Sequence, residues 1–103
     1  MQQMRSNESY VYRKTRNFER KYVAYCKKNM KLQKKIDSVL IQLSINPHDV
    51  TLRTHKVVTK RYRDVWSTRV TGDLRIIWKV ENGIMRLLIL LDLGGHSGSK
   101  KVY

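Results

Sequence analysis

The chain has 103 residues, 41% of them hydrophobic, and its 22 Lys and Arg against 8 Asp and Glu give a formal net charge of +14. That length fits one modest core and not two independently folded domains, and no apolar run approaches the roughly 18 residues a membrane-spanning helix needs. The charge selects a polyanionic partner, nucleic acid first or an acidic protein that masks it; the cations are spread along the chain instead of facing one apolar helix stripe, which argues against a membrane surface.

In chain order, residues 1–8 are polar and read as a loose leader without the apolar segment of a secretory signal; residues 9–103 read as one domain. The single cysteine, Cys26, cannot form an internal disulfide, so the expected compartment is a reducing cytoplasm. Tyr10 to Thr15 mixes aromatic and β-branched residues as a short strand does. Thr15 is placed to cap a helix whose apolar members Phe18, Tyr22, Tyr25 and Cys26 recur at helical spacing, with its end near Lys28-Asn29. A second helix starts near Met30, carries Leu32, Ile36, Val39, Leu40 and Leu43 on one side, and closes before Asn46-Pro47. So short a link makes the two an antiparallel hairpin.

Beyond Pro47 the pattern turns extended. Asp64 to Val70 alternates as a strand, Thr71-Gly72-Asp73 is turn chemistry, and Leu74 to Val80 is the next strand. Glu81-Asn82-Gly83 supplies a hairpin turn and Ile84 to Leu91 a return strand. The expected fold is α+β: a helical hairpin packed on one face of a mainly antiparallel sheet, with the N-terminal strand added at an edge.

Arg69 and Arg75 interrupt strand-like runs, and alternation turns both toward the face that the helices leave uncovered. With Arg53, Lys56, Lys60, Arg61 and Arg63 they are candidates for a concave cationic surface, arginine gripping phosphate through its planar fork and lysine acting as a point charge. A merely solvated sheet face is the competing explanation. His48, His55, His96 and Cys26 lack the close spacings of a zinc site, Gly94-Gly95 fits no phosphate loop, and no serine sits in a nucleophile elbow. No metal and no cofactor are expected.

Acid–base chemistry remains. RNA supplies its own nucleophile, the 2′-hydroxyl, and cleavage requires a base near it, an acid near the leaving oxygen and cations around the phosphorus. The tail LDLGGHSGSKKVY offers His96, whose ordinary pKa of roughly 6.5 suits proton transfer, Lys100 and Lys101 as counter-charges, and Tyr103 to stack or donate. Asp73 is placed to orient a histidine or accept a proton. A histidine that simply follows a strand is the alternative.

The segments Arg53-Thr54-His55-Lys56, Val65 to Val70, Gly72 to Trp78, Leu90 to His96 and Val102-Tyr103, in this order and spacing, resemble the RelE/ParE superfamily of bacterial toxins, its RelE and YafQ branch in particular. The likeness spans about Tyr10 to Tyr103. It implies a microbial RNase-like fold, cleavage of mRNA in the ribosomal A site, and neutralisation by a cognate antitoxin. YafQ-like active-site positions fall on His55, Asp73 and His96, and RelE-like ones on Arg75 and Tyr103. Two positions depart from the pattern: Arg69 replaces a YafQ-like histidine, and Ser97 a RelE-like arginine. The same fold also serves ParE-like toxins that poison DNA gyrase without catalysis, and a non-toxic RNA-binding protein is a third reading.

Overall fold

Thr15 sets the first corner of the chain. The computed structural model describes residues 10–81 and 87–95. Strand β1 (Val11–Lys14) ends at Thr15, whose Oγ1 accepts from Phe18 N at 3.2 Å and donates to the Leu90 carbonyl at 2.8 Å. One hydroxyl therefore caps helix α1 (Arg16–Cys26) and fastens it to a strand 75 positions later. Helix α2 (Met30–Ile45) is capped by Asn29, which accepts from Leu32 N at 3.1 Å, and it closes before Pro47 as the sequence dictates. Phe18, Cys26, Ile36, Val39, Leu40 and Leu43 are the residues the two helices bury.

A 3-10 turn (Val50–Leu52) leads to β2 (His55–Thr59), β3 (Arg63–Arg69), β4 (Leu74–Glu81) and β5 (Leu87–Gly95). The sheet order is β1-β5-β4-β3-β2, antiparallel except for the parallel pair β1 and β5. This is the α+β layer pair expected, with the N-terminal strand at one edge. The meander has four strands and not three, because the basic stretch before Asp64 contains β2.

The return strand also differs from expectation. It continues past Leu91 to Gly95, so Gly94 and Gly95 are strand residues opposite Arg75 and Leu74. The register shifts between Ile77 and Trp78: Trp78 faces Leu90 and Ile77 faces Asp92, leaving Leu91 as an extra residue on β5. This bulge resets the alternation. Leu88, Leu90 and Leu93 join Ile76 and Trp78 in the core under the helices, where the Trp78 indole donates to Thr68 Oγ1 at 2.8 Å.

Ile77, Ile89, Leu91 and Val65 form a second, smaller cluster against Val57, Tyr62 and Leu87. The face opposite the main core is thus apolar over part of its area, with Arg69 and Arg75 at one end and Arg63 and Lys79 toward the other. The predicted leader 1–8, the Asn82-Gly83 turn, and His96, Lys100, Lys101 and Tyr103 of the tail lie outside the described residues. Among those described, no helix is long and apolar enough to cross a membrane.

Candidate active site and nucleic-acid interface

Directly paired residues in adjacent antiparallel strands put their side chains on the same side of a sheet. Two rows of the site follow from that rule. His55 pairs with Ser67, Ser67 with Ile77, and Ile77 with Asp92; the neighbouring row runs from Arg69 to Arg75 to Gly94. The rows are two residues apart along the strands, about 7 Å. Both belong to the face of the second cluster, and they place an exposed imidazole diagonally across from two guanidinium groups.

Arg69 directly opposite Arg75 is an unfavourable pair in isolation, since like charges in cross-strand register repel. Arg75 is restrained: its Nη1 donates to the Thr71 carbonyl at 2.8 Å. Across from it Gly94 carries no side chain, so nothing on β5 at that register covers the guanidinium. His55 Nδ1 lies 3.1 Å from the Arg53 carbonyl, a contact that holds the ring at the start of β2. Arg53 adopts a left-handed backbone (φ 53), unusual for a residue with a side chain, and caps the 3-10 turn.

The structure separates the other predicted cations from this group. Lys56 follows His55 on the strand and therefore faces the helix-bearing side, where its Nζ sits 5.3 Å from the centre of the Trp66 ring. Lys60 lies in the turn between β2 and β3, with Arg61 over the Tyr62 ring and Arg63 next to it. That turn is at the opposite end of β3 from Arg69, a distance of about 20 Å for six residues of strand. Asp73 is exposed in the turn before β4, its own N–H bonded to Thr71 Oγ1 at 3.3 Å.

Helix α1 contributes a group that sequence reading assigned no role. Lys21 Nζ meets the buried carboxylate of Asp92 at 2.7 Å, and the Tyr62 hydroxyl lies 3.2 Å from its other oxygen. Asn17 Nδ2 donates to the Tyr62 hydroxyl at 2.9 Å and to the Leu91 carbonyl at 3.0 Å. The bulged segment of β5 is thereby tied to both α1 and the β2–β3 turn, directly before Leu93-Gly94-Gly95. Burial pushes the Tyr62 phenol up, with the Asp92 charge adding to it. Tyr25, one turn beyond Lys21, is likewise raised by burial and then by the charges of Asp73 and Asp92. The signal for this stripe was present as Asn17, Lys21 and Tyr25 at intervals of four, although only its apolar member stood out. Among the described residues, no three His, Cys, Asp or Glu side chains come together as a metal site would require.

Two helices on a five-stranded, mostly antiparallel sheet in this order form the α+β fold of RelE-like toxins. The chain is similar to a YoeB/ParE toxin from Agrobacterium tumefaciens, with a TM-score of 0.69 and 16% identity over 84% of this chain and 98% of that one. An archaeal RelE–RelB complex from Pyrococcus horikoshii OT3 matches with a TM-score of 0.67 and 16% identity, covering 88% and 99% of the two chains. YafQ from E. coli strain BL21(DE3) gives a TM-score of 0.57 at 19% identity, covering 84% and 92%. No protein-family model and no curated protein matches the sequence. At such identities the likeness establishes the fold, which is the one the sequence resemblance implied.

Proposed function

We propose that this protein is the toxin of a type II toxin–antitoxin pair and acts as an endoribonuclease on mRNA, in the ribosomal A site. The observation that carries the reading is the pair of rows on the sheet, His55-Ser67 beside Arg69-Arg75, in a fold shared with RelE and YafQ toxins. Two arginines in direct cross-strand register, next to an imidazole, suit a phosphodiester.

In the proposed reaction the substrate's 2′-oxygen attacks the adjacent phosphorus while Asp73 or His55 takes its proton. Arg75 holds the non-bridging oxygens as negative charge builds. The bond to the 5′-oxygen breaks, and His96 gives that oxygen a proton. Tyr103 stacks on or hydrogen-bonds to the substrate, and Arg53, Lys56, Lys60, Arg69, Lys100 and Lys101 form the wider RNA-binding set. The products carry 2′,3′-cyclic or 3′ phosphates, and the scheme employs no cofactor. A cognate antitoxin neutralises the protein in the cytoplasm.

The test is induction in growing cells, following labelled amino acid and thymidine incorporation side by side and mapping mRNA 5′ ends. The reading requires protein synthesis to stop first, with new ends inside coding sequence. Similarity to the YoeB/ParE toxin supports a second reading, gyrase inhibition without catalysis. Early arrest of DNA synthesis, intact mRNA and loss of supercoiling activity in purified gyrase would select it.

A further inference from the structure

Beyond the two rows, β3 ends in a second concavity. A cavity of about 300 Å³ is lined by Lys35, Val39, Thr51, Leu52, Arg53, Arg69 and Val70. Its three cations come from three separate places: the middle of α2, the left-handed residue after the 3-10 turn, and the last residue of β3. Val39, Leu52 and Val70 are buried and form an apolar floor. The lining contains no carboxylate, and among the described residues none of the three cations takes part in an ion pair. Asp49 lies nearby in sequence, but its oxygens are taken by the backbone and hydroxyl of Thr51 and by Gln42.

We infer that Lys35, Arg53 and Arg69 build an oxyanion pocket for a backbone phosphate of single-stranded RNA, flanking the phosphate to be cleaved. The inference rests on the RNA reading above and adds to it a ligand position on α2. Three like charges converging on one hollow repel one another until an anion enters, and an apolar floor strengthens their attraction for it by excluding water. Two arginine forks and one lysine offer planar and point-charge contacts to the same tetrahedral group.

A phosphate is favoured over an isolated carboxylate by continuity. Arg69 belongs both to this pocket and to the row it shares with Arg75. The Thr71-to-Asp73 turn lies between the two guanidiniums: a Cβ on Gly72 would come 4.0 Å from Arg69 Nη2, and the Thr71 carbonyl accepts from Arg75. A polymer with a charge on every unit can occupy both places at once.

The experiment measures binding of a single-stranded 2′-O-methyl oligonucleotide, which cannot be cleaved, across a series of salt concentrations. Lys35→Gln is compared with Lys34→Gln, which removes the same charge from the same helix one residue away and outside the pocket. Lys35→Gln is expected to weaken binding about five- to tenfold at low salt and to reduce the slope of log K against log salt by about 0.7, the value for one lost single-strand phosphate contact. Lys34→Gln should stay within about twofold of wild type. Equal effects of the two variants, or none from Lys35→Gln, would overturn the pocket while leaving RNA binding intact. A wild-type protein that fails to bind the oligonucleotide would overturn the RNA reading itself. If Lys35→Gln weakened an Asp/Glu-rich peptide and not the oligonucleotide, the pocket would be a carboxylate site and the phosphate assignment wrong.

Discussion

At the scale of residues, parity along a strand decides what a side chain can do. Arg69 and Arg75 share the face opposite the helices, a placement that alternation with Trp66, Ile76 and Trp78 makes legible from sequence. Lys56 was not legible in the same way, because its strand carries no clean alternation and a cation over Trp66 looks in sequence like any other basic residue. For the tail, the proposed role of His96 has a direct test: His96→Gln keeps size and polarity but removes the proton donor. Cleavage should fall by roughly 10²-fold or more while RNA binding stays near wild type. Wild-type cleavage by that variant would reduce His96 to a surface residue following a strand. Tyr22 gives a prediction about stability. Its hydroxyl donates to Asp37 at 2.6 Å, and burial followed by that bond pushes its pKa from the ordinary 10.0 up to about 12. The folded state therefore keeps a proton that the unfolded chain releases, so this contribution is full below pH 10 and is lost as pH rises toward 12. Tyr22→Phe should cost about 1 to 2 kcal/mol at neutral pH and flatten the alkaline loss, as measured by urea unfolding at neutral pH and near pH 11. Parallel pH profiles for the two proteins would show that another group governs the alkaline limb.

Among the elements, β5 is where sequence pattern and structure part. The helices, β1, β3 and β4 follow from caps, period and turn residues, whereas β2 is hidden in a basic stretch and β5 reads as one apolar run. A central strand buried on both faces has no alternation to read, so the bulge at Leu91 and the extension through Gly95 leave no mark in hydropathy. The consequence is functional as well as architectural. Without the extra residue, Asp92 and Gly94 would turn to the opposite side, and Arg75 would lose the open space across from it. What holds the bulge is polar: Lys21, Tyr62 and the Leu93 N–H all converge on the Asp92 carboxylate. Asp92→Ala removes the buried carboxylate on which Lys21, Tyr62 and the Leu93 N–H converge and should destabilise by about 2 to 3 kcal/mol. Lys21→Ala should cost less, about 1 kcal/mol or under, because the lysine is partly exposed and its charge is screened. Denaturant melts with a shared m-value decide this; a loss below about 0.5 kcal/mol for Asp92→Ala would mean that packing of Leu90 and Leu93 alone sets the register.

For the whole molecule the dominant quantity is a charge of +14 on 103 residues. Such a surplus repels itself in the compact state and draws polyanions at a rate that falls with ionic strength. The antitoxin in the proposed pair should therefore be acidic, with a segment that is disordered alone and folds across the basic surface. Apolar anchors for such a segment exist: Ile41 and Ile45, one turn apart on α2, are 61% and 57% exposed, and Val50 beyond them is 87% exposed. Association should slow steeply with added salt, while the formed complex, held also by these apolar contacts, should dissociate slowly. If the partner inhibits by covering the site, Arg75 should resist phenylglyoxal and His96 should resist diethylpyrocarbonate in the complex but not in the free protein. Equal modification of both residues in the two states would mean that the partner binds elsewhere and inhibits through the conformation of the sheet, with the Lys21–Asp92 tie between α1 and β5 the connection to examine.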